Sequence, residues 1–355
     1  MKKVLMTGNE AIAEGAVQAG CVFYAGYPIT PQNELTAYMA KRMAEVGRIF
    51  IQSESELAAI NMVLGVSAAG GRVMTSSSSP GISLKQEGIS YLAGCQLPCV
   101  IVNIMRGGPG LGNIAPSQSD YFQATKGGGH GDYHSIVLAP SSVQEAFDLM
   151  FSAFELADRY RNPVIILGDG MLGQMMEPIY CTRKKRTTQN AQRTTQKKWA
   201  LTGCKARSPN IIRSLFLAEG KLEEINKILQ KKYKKIQVQE QSWEGLFLED
   251  AHTVFVAYGT MARIARGLMY GLRKKGMKVG LIRPISLWPF PLKAFCNLPG
   301  VRRYIVLEMS YGQMLEDVRL AVERKKSVEF FGRAGGGIPK EEEILKKFFK
   351  KKVEL

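Results

Sequence analysis

A glutamate opening an apolar helix, an arginine among glycines and a threonine between two prolines are the residues of this 355-residue chain whose types and spacing could do chemistry. Glu56 stands in Gln52-Ser53-Glu54-Ser55-Glu56-Leu57-Ala58-Ala59-Ile60-Asn61, where a strand end runs into a helix rich in Ala and Gly. Facing a ligand, a carboxylate on such a helix is partly desolvated and able to share a proton. Facing solvent, it simply favours the positive helix N-terminus while Ser53 or Ser55 caps it. Arg106 lies in Met105-Arg106-Gly107-Gly108-Pro109-Gly110-Leu111-Gly112, at the end of the apolar strand Pro98 to Ile104. Its planar guanidinium is placed either to grip a carboxylate or to sit solvated in a turn. Thr30, in Gly26-Tyr27-Pro28-Ile29-Thr30-Pro31, presents a hydroxyl from a segment that two prolines restrict. Capping chemistry competes there, with Thr30 as N-cap, Pro31 as the first helical residue and Asn33-Glu34 behind it. A fourth cluster, Lys126-Gly127-Gly128-Gly129-His130-Gly131-Asp132, has the composition of a mobile lid, and His130 and His134 lack metal-ligand spacing. No glycine cluster matches a dinucleotide fingerprint or a P-loop.

Short β-rich runs alternating with helical patterns must position these loops. Val4-Leu5-Met6 precedes a helix from Asn9 to Ala19, Val22-Phe23-Tyr24 one beginning near Pro31, Ile49-Phe50-Ile51 one from Glu56 to Ala69, and Val73-Met74-Thr75 one from about Leu84 to Ala93. Val100-Ile101-Val102, Ile136-Val137-Leu138 with a Ser141-capped helix to Ala157, and Val164-Ile165-Ile166-Leu167 complete the series. This alternation predicts parallel βαβ units, with ligands bound in loops after the strands. The pattern fails between about Glu177 and Asp250, where Leu222 to Lys235 has the character of an exposed, charged helix, and resumes at Thr253 as a second, smaller α/β domain. The expected division is 1–178, a polar and basic connector over 179–250, and 251–355 ending in a basic tail.

The chain carries 48 Lys and Arg against 31 Asp and Glu, a net of +17, which raises nucleic acid, a membrane surface or an acidic protein as partners. The excess is local. Residues 1–180 hold 11 basic and 15 acidic residues, whereas 181–240, opening with Arg183-Lys184-Lys185-Arg186, hold 16 and 4. The N-terminal half is therefore not a nucleic-acid domain, and the basic stretch has only Trp199, Phe216 and Tyr233 as aromatics. A basic nucleic-acid-interacting protein stays as the alternative of another class. The start has too few apolar residues for a secretory segment, and no apolar run is long enough for a membrane helix, so a cytoplasmic location without membrane contact is expected. The six cysteines contain no C-x-x-C and are expected to be reduced, mostly buried thiols, with no metal site in this chain.

Taken together and in order, these motifs resemble those of the α subunits of 2-oxoacid:ferredoxin oxidoreductases, which are thiamine-diphosphate enzymes. The matching pieces are Gly26-Tyr27-Pro28-Ile29-Thr30-Pro31, the Ser55-Glu56 junction, Thr75-Ser76-Ser77-Ser78-Ser79-Pro80-Gly81, Arg106-Gly107-Gly108-Pro109, the Lys126 to Asp132 loop, Trp199-Ala200-Leu201-Thr202-Gly203 and Leu281-Ile282-Arg283-Pro284. Pro31-Gln32-Asn33-Glu34 and the Trp199 segment look most like the branched-chain (2-oxoisovalerate) members, with the 2-oxoglutarate members next.

The resemblance implies a pyrimidine-type thiamine-diphosphate domain with a parallel sheet, followed by a smaller domain similar to the C-terminal domain of transketolase. It implies that Glu56 is the catalytic acid that hydrogen-bonds the aminopyrimidine, that Pro28 and Ile29 line the cofactor, and that Thr30 and Arg106 contact the oxoacid. The activity implied is oxidative decarboxylation of a 2-oxoacid with CoA to acyl-CoA, carbon dioxide and reduced ferredoxin. Gly168-Asp169-Gly170 looks like the start of a thiamine-enzyme magnesium motif, but neither Asn190 nor Asn210 falls at the spacing that motif needs, and a tight turn ending the last strand is expected instead. Thiamine diphosphate is accordingly expected to be shared with a β subunit that also holds Mg. Iron-sulfur clusters are expected on a ferredoxin-like subunit, alongside a γ subunit and ferredoxin itself.

Overall fold

The computed structural model describes residues 3–181 and 197–349, so the basic run Arg183 to Arg186 and the end of the basic tail lie outside the described residues. The first half contains β1 (Val4–Thr7), α1 (Gly8–Gln18), β2 (Phe23–Gly26), α2 (Asn33–Glu45), β3 (Ile49–Gln52), α3 (Glu56–Ala68), β4 (Val73–Ser77), α4 (Ser79–Gly94), β5 (Cys99–Met105), β6 (Ile136–Leu138), α5 (Val143–Tyr160), β7 (Pro163–Asp169), α6 (Gly170–Gln174) and β8 (Met176–Ile179). The second contains α7 (Lys221–Gln239), β9 (Trp243–Leu246), β10 (Thr253–Val256), α8 (Gly259–Lys274), β11 (Val279–Pro284), β12 (Ser286–Trp288), β13 (Arg303–Glu308), α9 (Gln313–Ala321), β14 (Ser327–Gly332) and α10 (Glu341–Phe349).

A seven-stranded sheet has the order β12-β6-β7-β5-β4-β2-β3, parallel except for β12. Strands such as β5 (CVIVNIM) and β7 (PVIILGD) are buried throughout, which is why they are continuous apolar runs rather than alternating ones. From β2 the chain moves outward to β3, whereas from β4 it moves the opposite way to β5. The sheet therefore has a switch point between β2 and β4, the place where open α/β sheets leave a crevice beyond their C-terminal ends. The second sheet, β14-β13-β10-β11-β9, is parallel apart from β9.

Several elements differ from the sequence expectation. The helix after β2 starts at Asn33 rather than Pro31, so Thr30 is not its cap; Gln32 occupies that position and makes no side-chain cap bond. The helix after β4 starts at Ser79, with Pro80 in its first turn, a full turn before Leu84. Ser142, not Ser141, caps α5 and accepts from the Glu145 N–H, while Ser141 donates to the Glu145 carboxylate. Helix α7 is not exposed all round: Leu229, Tyr233 and Ile236, spaced on one face, are buried, and Tyr233 meets His134 and Trp288 edge-on.

Gly168-Asp169-Gly170 is more than a turn. Asp169 ends β7, caps α6 by accepting from the Leu172 N–H at 3.0 Å, and accepts from the N–H and hydroxyl of Thr260 at 3.0 and 2.6 Å. Gln118 adds a second tie between the halves, donating to the Tyr258 carbonyl and pairing with the Met309 backbone in both directions. Buried Arg283 adds a third, with both Nη groups on Glu145 at 3.0 and 2.9 Å. The Lys126 to Asp132 segment begins inside a π-helical turn, Gln123–Gly127; Lys126 pairs with Asp317, and the His130 carbonyl accepts from Ser90.

Candidate active site

The loops after β2, β3, β4 and β5 all leave the same edge of the sheet, and the first turn of α4 ties them together. Ser79 stands between Arg106 and Asp120, accepting from the Arg106 N–H at 3.0 Å and donating to Asp120 at 2.6 Å. Burial pushes the Asp120 carboxyl up, against the pull of its bonds from Ser79 and Asn103. Two residues further on, Gly81 faces Glu56: a Cβ there would lie 2.5 Å from Glu56 Oε1 and 2.1 Å from Ser77 Oγ. A side chain at this position would displace the Glu56 carboxylate or the Ser77 hydroxyl.

Glu56 is the first residue of α3, behind the cap in which Ser55 accepts from the Ala58 N–H. It is 5% exposed, and among the described residues its carboxylate makes no hydrogen bond or ion pair; the bond recorded at this residue goes to its backbone carbonyl, from Lys85 at 3.3 Å. The hydroxyls of Thr75, Ser77 and Ser78, buried at the end of β4, also lack partners. Buried polar groups are ordinarily hydrogen-bonded, so the end of β4 and the start of α3 keep hydrogen-bonding capacity that the described residues do not use.

Arg106 is buried and anchored by part of its donor set. Nη1 donates to the Thr30 carbonyl at 2.9 Å and Nη2 to the Leu111 carbonyl at 3.1 Å, while Nε has no partner. Arg106 and Thr30 are thus in contact, through the Thr30 backbone rather than its hydroxyl, which accepts from Asn33 Nδ2 at 3.1 Å. Pro28 is exposed and Ile29 half-buried on the same loop. That loop is held from beneath by Gln32, whose side chain accepts from Ser76 at 2.6 Å and Thr36 at 3.2 Å and donates to the Tyr27 carbonyl. Tyr24 joins the network through Ser76 at 2.6 Å. On the other side, the Arg106 loop leans on the second half of the chain, where Asn113 donates to the Gly335 carbonyl at 3.0 Å.

Sequence reasoning picked out Glu56, Thr30 and Arg106, and the structure brings them to one edge. It gave no role to Ser77, Ser79, Gly81, Asp120 or Lys85. The signal available was the run Thr75 to Gly81, a strand end of hydroxyls followed by Pro and Gly.

A family described as "Pyruvate flavodoxin/ferredoxin oxidoreductase, thiamine diP-bdg" matches residues 14–243, well over half of the chain. The chain belongs to the 2-oxoacid:ferredoxin oxidoreductases. A second family, described as "Pyruvate:ferredoxin oxidoreductase core domain II", matches residues 251–344 of this oxidoreductase subunit. The subunit is 49% identical, over 98% of its length and 97% of the relative's, to the ketoisovalerate oxidoreductase subunit VorB of Methanothermobacter thermautotrophicus. It is 36% identical, over 97% of its length and 98% of the relative's, to the 2-oxoglutarate synthase subunit KorA of Methanocaldococcus jannaschii. A solved 2-oxoglutarate:ferredoxin oxidoreductase from Magnetococcus marinus, with 2-oxoglutarate, coenzyme A and succinyl-CoA bound, superposes with a TM-score of 0.86 at 27% identity, covering 98% of this subunit and 65% of that chain. A split-gene transketolase, matched at a TM-score of 0.57 and 14% identity over 97% of this subunit and 93% of that chain, shares the fold alone. Family membership replaces the reading as a nucleic-acid-interacting protein. Among the described residues of this oxidoreductase subunit, no helix is long and apolar enough to cross a membrane.

Proposed function

We propose that this chain is the α subunit of a complex that converts a branched 2-oxoacid, 2-oxoisovalerate, with CoA and oxidised ferredoxin to acyl-CoA, carbon dioxide and reduced ferredoxin. The observation that carries the reading is the buried Glu56 carboxylate, without a partner among the described residues, which faces Gly81 in the same first turn of α4 whose Ser79 bonds Arg106. The choice of oxoacid is supported by the identity to two ketoisovalerate oxidoreductase subunits, 49% and 50%, against 34% to 38% for four 2-oxoglutarate synthase subunits.

The residues present fit the pyrimidine end of thiamine diphosphate. Glu56 offers an acceptor, the Gly81 cradle leaves space beside it, and the idle hydroxyls of Thr75, Ser77 and Ser78 supply polar neighbours. When bound, thiamine diphosphate supplies the thiazolium that accepts the electrons left behind as carbon dioxide departs. Glu56 would hold a proton at its carboxylate against a pyrimidine ring nitrogen, a role its buried place on α3 suits geometrically. Arg106 binds the oxoacid carboxylate with the donors left over from its two carbonyl bonds, and the Thr30 hydroxyl orients it. Pro28 and Ile29 form the wall beside the cofactor.

Among the described residues, no set of donors matches magnesium. Asp169, its nearest candidate, is spent on Thr260 and Leu172, and no cluster of three or more metal-ligating side chains occurs among the described residues. The reading therefore assigns Mg and the diphosphate to a β subunit and the iron-sulfur clusters to a ferredoxin-like subunit, with a γ subunit completing the complex. Exposed apolar residues flank the site, Tyr27, Leu57, Leu84, Leu111 and Ile114, and they suit a partner surface. Viologen reduction by the copurified complex with a panel of oxoacids tests the proposal. Preference for 2-oxoisovalerate and other branched acids is the expected result; preference for 2-oxoglutarate moves the chain to the alternative, the α subunit of a 2-oxoglutarate:ferredoxin oxidoreductase.

A further inference from the structure

We infer that Asp120 is a positioning residue for Arg106: by accepting the hydrogen bond of the Ser79 hydroxyl, it leaves that oxygen free to hold the Arg106 backbone and so fixes where the guanidinium meets the oxoacid. The inference deepens the reading of Arg106 given above and rests on it.

Asp120 lies on a strap that leaves the Arg106 turn and crosses to the second half of the chain. The strap starts beside the arginine, where Pro116 forms an antiparallel bridge with Arg106 and the Ala115 carbonyl accepts from the Gly107 N–H at 2.9 Å. Further on it is tied down on the second half. Gln118 pairs with the Met309 backbone in both directions, and the Ser119 carbonyl accepts from Gln313 Nε2 at 2.7 Å. The Tyr121 hydroxyl donates to Asp317 at 2.6 Å, and the Phe122 N–H donates to Gln313 Oε1 at 2.8 Å. Between these anchors the Asp120 side chain turns the other way, to α4 and β5. Its carboxylate is therefore presented from a point that bonds on both sides hold in place.

There it closes a ring of three side chains. Asp120 Oδ2 accepts from Ser79 Oγ at 2.6 Å and from Asn103 Nδ2 at 2.9 Å, while Asn103 Oδ1 accepts from the Ser79 N–H at 3.2 Å. A serine hydroxyl has one proton to donate and two lone pairs. Two acceptors compete for this proton, Asp120 at 2.6 Å and the Arg106 carbonyl at 3.3 Å, and only the first lies within the ordinary range of a hydroxyl bond. With the proton directed at Asp120, a Ser79 lone pair receives the Arg106 N–H at 3.0 Å. The far end of Arg106 is held by the Thr30 and Leu111 carbonyls. Both ends of the residue are then fixed, and with them the direction of Nε, which has no partner among the described residues. Without the carboxylate, the Ser79 proton is left to the Arg106 carbonyl, Asn103 loses its acceptor, and the backbone end of Arg106 is released.

The chemistry of the substrate decides which constant responds. The oxoacid carboxylate sheds its charge as carbon dioxide departs, so a grip on it holds the substrate at least as well as the transition state. Loosening that grip raises KM and spares kcat. The test is steady-state viologen reduction by the assembled complex with its preferred oxoacid, for wild type, Asp120→Ala, Asp120→Asn, Ser79→Ala, Arg106→Lys, and Asp120→Ala with Arg106→Lys. Asp120→Ala and Ser79→Ala are each expected to raise KM for the oxoacid by about 10-fold, with kcat and KM for CoA at their wild-type values. Asp120→Asn keeps an acceptor oxygen and brings KM back to within about 3-fold of wild type. In the Arg106→Lys background Asp120→Ala adds no further increase, because both changes act through one contact. A wild-type KM in Asp120→Ala, a fall in kcat with KM unchanged, or increases that multiply in the double variant would each overturn the role. Should Asp120→Ala fail to assemble, Ser79→Ala decides in its place, and a wild-type KM there overturns the role. If Arg106→Lys raises KM and Asp120→Ala does not, the inference falls alone; if Arg106→Lys leaves KM unchanged, the reading of Arg106 falls and takes the inference with it.

Discussion

In the proposed reading Arg106 divides its guanidinium between structure and recognition: two donors hold the loops carrying Thr30 and Leu111, and Nε is left without a partner among the described residues. Lysine retains the charge but not the fork, so Arg106→Lys is expected to raise KM for the oxoacid by about 10-fold or more, the worth of a lost charge-assisted bond. Steady-state kinetics of the assembled complex check this, and an effect confined to CoA would contradict it. Lys85 carries a pH signature of its own. Burial pushes its folded value down to about 8, below the ordinary 10.5. The unfolded chain therefore binds a proton that the folded chain has lost between these limits, and stability contributed by this group rises with pH across that window. Thermal melting of wild type should gain on Lys85→Met from pH 8 to 10.5; parallel curves would show that the ammonium is not depressed. Glu56, Thr30 and Arg106 stood out in the sequence because a carboxylate, a hydroxyl and a guanidinium follow strand ends, the last two beside Pro or Gly. Lys85 did not, because Leu84-Lys85-Gln86-Glu87 has the composition of a helix surface. The readable sign was the glycine on either side of it along one helix face.

At the scale of elements, alternating apolar runs located the strands of the main sheet, since buried parallel strands are the most distinctive pattern a sequence offers. Their contacts with the second half were not legible. Strand β12, three residues long, pairs antiparallel with β6, and β9 joins β11, although β9 falls in the stretch whose composition resembles a connector. Short edge strands carry too few residues to show a period. Thr30 illustrates the converse error: good capping chemistry was present, but Gln32 is committed to Ser76 and Thr36 and the helix starts after it. Asp169 gathers donors from both halves of the chain. Thr260→Val removes a hydroxyl that donates to this buried carboxylate at 2.6 Å, and denaturant unfolding should show a loss of about 1–3 kcal/mol. A loss of only about a few tenths of a kcal/mol would mean the carboxylate finds another donor.

For the whole molecule, the charge is a matter of where it lies. The half with the site is slightly acidic, and α7 carries exposed Lys231, Lys234 and Lys235, while Lys232 is half-buried and donates to the Arg161 carbonyl. A basic surface of this kind steers an acidic electron acceptor, an effect that salt screens. Changing Lys231, Lys234 and Lys235 to Gln should slow ferredoxin reduction at low salt and leave viologen reduction unchanged; equal rates with both acceptors would make the charge solubilising only. The cysteines follow the same division between core and surface: Cys21 and Cys99 are buried, Cys95 and Cys181 half-buried, Cys204 and Cys296 exposed, and all six are free. The central claim is that one buried, unpartnered carboxylate at the switch point of the main sheet carries the proton transfer. Turnover of the assembled complex with 2-oxoisovalerate, wild type against Glu56→Gln, tests it most directly. A fall of about 10²-fold or more with the complex intact is the result predicted, and turnover retained near the wild-type rate would contradict it.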